Sequence, residues 1–419
     1  MTVVRNDPAR AVRRATLLLA GAQMTLWAGS GAYAAFGPLA IEEITGHEGS
    51  AAQLFGVYAL AAAGSALVTG RVMDRLGRRP GLLGGYALIA AAGLLAWAAI
   101  RAGSAPLLYV AGGMLGAGTA AALLGRAAVA DMYPPERRGR AVGLLLVAGT
   151  VGAVGGPLLA GAIHSVAEGL GVEEPLAAPW LLVPAFALLG AGLVAAIRPD
   201  PRELAAPGPA PTAAPRRPGE ILRLRPAARA VVAIAVAHAV MVTFMAQLPP
   251  SIHRLGASEV TVSIVVSLHL AGMFAFSPVF GTVIDRWGRR AGLLLGAVLS
   301  ASGVLLSVAF PRTIGVGTGL LLIGMGWSAA YLGSTAAVSD MSTPWERGGA
   351  LGVTDLVASL SSGVGAIAGA MLLRAAGLPV LGVAALALLA LVVALLVPLR
   401  EPSPGRWEPA AERTANPTV

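Results

Sequence analysis

Two charged residues interrupt apolar runs: Arg126, near the end of a run closing at about residue 130, and Asp355, near the start of a run opening at about 349. Charge inside a membrane-spanning segment is costly, so such residues mark ion pairs, proton relays or substrate pathways. Arg126 lies about one helical turn from one end of its run and Asp355 about two turns from the same side, so their depths match. They offer a cross-segment pair that breaks and re-forms, or, for Asp355 alone, a carboxylate that takes up a proton. A plainer alternative pairs Arg126 with nearby Asp131. Two imidazoles add a second chemistry. His238, Met241 and Met245 follow i, i+3, i+7 spacing and share one helix face, and His269 and Met273 are one turn apart. Imidazole and thioether together suit Cu(I). Methionine is equally a pliable packing residue, and that reading stays open.

The elements that position these groups are apolar spans. Of 419 residues, 56% are hydrophobic and 12% charged, against about 25% charged in a soluble domain. Twelve runs are long enough to cross a hydrocarbon core of about 30 Å: 15–39, 51–70, 80–100, 106–130, 140–163, 178–197, 228–248, 259–283, 291–310, 314–338, 349–373 and 377–399. Ala32-Tyr33-Ala34 resembles a signal-peptide cleavage site, but the apolar run continues past it and is read as a span. The chain has no Cys and no Lys, which removes thiolate metal sites, a Walker A lysine and a Schiff-base lysine. All 30 basic residues are Arg, and 25 of them fall at the N-terminus, after even-numbered spans, in the central linker or in the tail. Only Arg101, Arg254, Arg312 and Arg374 fall on the other side. The positive-inside rule therefore predicts both termini in the cytoplasm, and the net charge of +9 expresses that bias and not a nucleic-acid partner.

The chain also repeats itself. GRVMDRLGRR at 70–79 and GTVIDRWGRR at 281–290 agree at seven of ten positions, 211 residues apart. DMYPPERRGRAVGL at 131–144 and DMSTPWERGGALGV at 340–353 agree at seven of fourteen, 209 apart. Two matches at nearly one spacing predict two homologous six-helix halves in the same orientation. The boundaries expected are 1–197 and 228–399 for the bundles, 198–227 for a Pro- and Arg-rich cytoplasmic linker, and 400–419 for a cytoplasmic tail.

The duplicated G-x-x-x-D-R-x-G-R-R resembles motif A of the major facilitator superfamily. That resemblance implies an all-α membrane protein of twelve helices, two pseudo-symmetric bundles rocking about a central cavity. The motif residues are Gly70, Asp74, Arg75, Gly77, Arg78 and Arg79, and Gly281, Asp285, Arg286, Gly288, Arg289 and Arg290. Gly70 and Gly281 are expected at close helix approaches and Gly77 and Gly288 at tight turns. Asp74 and Asp285 are expected to face a helix N-terminus of the opposite half, with the arginines pairing to Asp131, Glu136 and Asp340 as an inner latch. Gly152, Gly156-Pro157 and Gly161 resemble motif C, which the superfamily's proton-coupled antiporters carry; simple close packing is the alternative.

Met241-x-x-x-Met245, His269-x-x-x-Met273 and the run HLAGMFAFSPVFG further resemble the CcoA-type copper importers, with riboflavin transporters as a related branch. The resemblance makes Met241, Met245, His269 and Met273 the metal ligands; His238 joins them on geometry alone. The expected function is secondary transport in the bacterial inner membrane, with copper uptake leading. Proton-coupled efflux of drugs or amphipathic molecules and riboflavin-type uptake are alternatives, and a non-transporting sensor stands last. No enzyme motif is present, no cofactor is expected apart from copper as cargo, and the chain is expected to act as a monomer in the lipid bilayer on a small molecule or metal ion.

Overall fold

The computed structural model describes residues 8–47, 49–133, 135–204, 216–343 and 346–398, which are helical with no strand among them. In chain order the helices are α1 (Pro8–Thr45), α2 (Ser50–Leu76), α3 (Arg78–Arg101), α4 (Ala105–Leu123), α5 (Gly125–Asp131), α6 (Pro135–Gly169), α7 (Leu182–Ala195), α8 (Pro218–Leu222), α9 (Arg225–Arg254), α10 (Glu259–Phe274), α11 (Ser277–Trp287), α12 (Arg289–Ala309), α13 (Thr313–Asp340) and α14 (Arg347–Leu396). A 3-10 turn at Pro175–Leu181 leads into α7. Among the described residues, ten segments have the length and apolarity of membrane spans. The last, Gly349–Leu396, is 48 residues and crosses twice, broken at Gly377, whose φ of 80° no helix continues through. With α1, 38 residues and about 57 Å long, the crossings number twelve. The fourth is α4 with α5. The eighth is α10 with α11, parted where Pro278 removes a backbone donor.

The two halves repeat each other in packing as well as in sequence. α1 packs on α6 and α9 on α14; α2 packs on α4 and α10 on α13; α3 packs on α4 and α12 on α13. Small residues allow these approaches: Gly116 lies against the Tyr58 carbonyl, and Gly324, in the same place in the second half, lies against the His269 carbonyl. Gly77 (φ 103°) and Gly288 (φ 90°) turn the chain between successive helices without a loop, in a region that L side chains rarely enter.

Although the seventh and eighth crossings are consecutive, α9 packs chiefly on α13 and α14, and α10 on α13 and α6. Each buries a broad apolar surface against α13, and a short connection does not oblige two helices to face each other.

Candidate translocation site

Arg126 and Asp355 come together across the two halves. The guanidinium of α5 donates from Nη2 to Asp355 Oδ2 of α14 at 2.8 Å and from Nη1 to the Tyr331 hydroxyl of α13 at 2.7 Å. Asp131, the local alternative, is instead held by Arg78 at 2.8 Å. The Arg126 and Asp355 side chains are 36% and 41% exposed, so the pair borders open space and not a dry core.

An aromatic wall adjoins this bridge. Tyr331 stacks on Trp327, centroids 5.0 Å apart and planes 15° off parallel. Trp327 meets the edges of Phe274 of α10 (6.2 Å) and His238 of α9 (5.2 Å). Phe274 in turn reaches Trp27 of α1 at 5.0 Å, so the wall crosses from one half to the other. Trp327 and Tyr331 are one turn apart and present one face. Trp27 is seated by Gly149 of α6, where a methyl group would come within 2.9 Å of its ring. Stacking surfaces beside a cation and a carboxylate bind flat organic molecules through their faces and polar edges.

The His and Met residues are inside the protein but differently engaged. The Trp327 indole N–H donates toward the His238 ring at 3.1 Å, while His238 Nδ1 lies 3.2 Å from the Ile234 carbonyl oxygen. His269 Nδ1 lies 2.7 Å from the Leu320 carbonyl oxygen, and its Nε2 is buried with no hydrogen-bond partner. Met241, Met245 and Met273 are buried in the core and none faces lipid.

The repeated motifs hold the Arg-rich end of each half. Arg78 binds Asp131, and the corresponding Arg289 binds Asp340, both at 2.8 Å. Arg79 donates to the Ala195 carbonyl at 2.7 Å. Asp200 caps the start of α3, accepting from the Arg78 and Arg79 backbone N–H groups at 3.2 and 2.9 Å. Farther along the linker, Arg216 makes a two-pronged bond to Glu346 at 2.8 and 2.9 Å. That guanidinium holds the Glu346 carboxyl at a pKa of about 2. The latch expectation is corrected in part. Asp285 is exposed and makes no ion pair among the described residues, Arg75 and Arg286 are exposed, and Arg290 is half-buried. Gly70 and Gly281 have nothing within 4 Å, so neither marks a close approach. At this end α11 packs on α12 and α13 of its own half. The side chains of Asp74 and Glu136 lie outside the described residues.

At the opposite end the halves are closed. Arg254 of α9 binds Glu42 of α1 at 2.6 Å. Gly56 of α2 meets Ile367 of α14, and Ser267 of α10 donates to the Val154 carbonyl of α6 at 3.0 Å. The motif C residues serve this packing: Gly152 and Gly156 lie directly against the Met24 and Ala28 carbonyls of α1, and Gly31 of α1 lies against the Gly156-Pro157 peptide. A Cβ on Gly161 would stand 2.8 Å from Ser263 Oγ of the other half. Trp27, Trp327, Tyr331 and the outer His164 escape a reading of the sequence; only the one-turn spacing of Trp327 and Tyr331 signals a shared face.

Twin helical bundles, in contact at one end and bridged by an intramembrane ion pair, define a membrane carrier. Sequence comparison places it more narrowly. The family model described as Major Facilitator Superfamily matches residues 19–253 and 230–418, and the chain belongs to that superfamily. It is 30% identical over 364 residues to the uncharacterized MFS-type transporter YdeG of Bacillus subtilis, covering 84% of each chain. It is also 30% identical over 288 residues to the riboflavin transporter RfnT of Brucella anthropi, covering 68% of this chain and 70% of that one. Its fold matches the crystal structure of the human organic anion transporter MFSD10 (TETRAN) with a TM-score of 0.67 at 18% identity, over 92% of this chain and 99% of that one.

Proposed function

We propose that this carrier moves a flat heteroaromatic solute by alternating access, with Trp27, Phe274, Trp327 and Tyr331 stacking it and the Arg126–Asp355 pair holding its polar edge. The single observation that carries the reading is that Tyr331 both stacks on Trp327 and accepts, at its hydroxyl, a hydrogen bond from the guanidinium that bridges the halves. A solute stacking on that wall therefore competes for the bridge that the carrier must break to move. The name of the Brucella relative supports the class of solute. The Arg-rich end and both termini are assigned to the cytoplasm of a bacterial inner membrane by the positive-inside rule. The test is riboflavin binding to the purified protein, followed by quenching of tryptophan fluorescence. A lost stacking partner costs about 1–3 kcal/mol in aromatic–base contacts, so Trp327→Leu is expected to weaken binding about five- to 150-fold. A parent protein that binds no flavin would overturn the solute class.

Copper uptake is the second reading, and one observation favours it: His269 is oriented through Nδ1 by a carbonyl while Nε2 stays free, as in many metal-ligating imidazoles, and Met273 is buried one turn away. Cu(I) binding by the parent and its loss in His269→Ala would support it. Efflux of amphipathic molecules would use the same cavity, and is separated by flux assays in vesicles of both orientations.

A further inference from the structure

The closed end carries a titratable cluster that the central site does not use. His164, near the end of α6, faces Glu259, the first residue of α10, with Nε2 3.7 Å from Oε2. The two belong to opposite halves. The His164 side chain is 4% exposed, its ring lies 5.2 Å from Phe36, and its Nδ1 is buried without a hydrogen-bond partner. Glu259 is 26% exposed and sits in the first turn of α10, behind an N-cap in which Ser258 Oγ accepts from the Thr261 backbone N–H.

We propose that His164 and Glu259 form a proton-binding site at the outer mouth, and that a proton bound there holds the two halves together on that side. The step is a simple proton transfer: a hydronium ion in the outside solution loses one O–H bond and is left as water, and a ring nitrogen of His164 gains the proton as an N–H bond. Neutral His164 offers the carboxylate at most a long hydrogen bond, whereas imidazolium adds a full charge pair in a mostly buried corner. Gly161, one turn earlier, abuts Ser263, so this corner cannot open without separating His164 from Glu259.

Of the two imidazoles that face Glu259, His164 is the one from the opposite half. His253 places Nε2 3.8 Å from Glu259 Oε1, but it belongs to the same half as Glu259, and its Nδ1 is tied 2.9 Å from the Ala257 carbonyl oxygen. Arg254 is held by Glu42 of α1. At this end Glu174, before the 3-10 turn, is half-exposed, while Glu43 of α1 and Glu168, one turn beyond His164 on α6, are exposed. Glu259 and His253, at 26% and 39% exposure, give a proton a route from solution to the buried imidazole.

The inference rests on the alternating-access reading, so the experiment separates the two. The chain has no Cys, which lets spin labels be placed at chosen sites. Ala102→Cys and Pro311→Cys, both exposed at the closed end in different halves, report the outer gap. Glu203→Cys and Arg223→Cys, both exposed, report the Arg-rich end. Distances measured by pulsed electron spin resonance at about pH 5.5 and pH 8 should show the short outer distance dominating in acid and falling at least fivefold in population in base. His164→Gln and Glu259→Gln should each flatten that response, and His253→Gln should keep it. A pH-independent outer distance in the parent, or an intact response in His164→Gln, overturns the proton site. Should the Arg-rich pair still move on adding riboflavin, alternating access survives that loss. Should neither pair move under any condition, both readings fall.

Discussion

Replacing Asp355 with Asn tests whether the central bridge is a moving part. The substitution keeps the side chain's size and removes a full charge 2.8 Å from Arg126. At that distance two unit charges attract by about 6 kcal/mol at an effective dielectric of 20 and about 1.5 kcal/mol in water. With 36% and 41% of the side chains exposed to open space, the water limit is the closer one, and exposed pairs measure no more than about 1 kcal/mol. A coupling of about 1–2 kcal/mol is therefore expected, equivalent to about a five- to 30-fold change in the balance between states. The Tyr331 hydrogen bond to Arg126 survives the change and keeps the guanidinium in place.

The assay is a double-mutant cycle on transport rate and on the spin-label populations at the Arg-rich end. Arg126→Asp and Asp355→Arg should each be impaired, since each leaves two like charges facing one another. The double exchange should regain about tenfold over the worse single variant, because the attraction is restored with its sign reversed. A double variant no better than the worse single one would mean that the two residues act separately. Asp355 would then be judged alone, as a proton carrier.

Gly156→Leu should abolish stable insertion, because its side chain would enter the Ala28 backbone of α1; recovery of normally folded protein would contradict the packing. Met245→Leu and Met273→Leu conserve volume and should cost less than about 1.5 kcal/mol in stability. Whole-cell metal analysis then decides their role, since copper uptake that falls with folding intact supports the second reading and unchanged uptake removes it. Because Glu346 has its pKa lowered to about 2, the stability it contributes is present above its unfolded value of about 4.5 and is lost only as pH falls toward 2. Linker cleavage by a protease should thus be unchanged between about pH 8 and pH 5, and rise in Glu346→Gln at every pH.

What sequence can carry here depends on how local each constraint is. The turn glycines at 77 and 288 answer to their own φ angles, and the Arg–Asp pairs that follow them recur because each half folds around the same close contacts. Arg126 and Asp355 are legible for a different reason: a charge in an apolar run has so few affordable partners that the depth of each nearly names the other. Trp327 and Tyr331 have no such mark, since aromatic residues within an apolar helix look the same whether they face lipid, core or cavity. His164 becomes a candidate only once α6 meets α10 across the halves, a contact set by tertiary packing between residues about a hundred positions apart. The Asp200 cap on α3 and the Arg216 bond to Glu346 are equally silent in the sequence, because a linker's composition says it can bend and not where it docks. The His and Met residues share faces by their spacing within each helix, but bringing the two faces together depends on the rotation of α9 relative to α10, which periodicity does not contain. That rotation is set by α13, on which both helices lean, and it turns His238 toward Trp327 and His269 toward Leu320. The same wedge that separates the two imidazoles brings one of them to the aromatic wall.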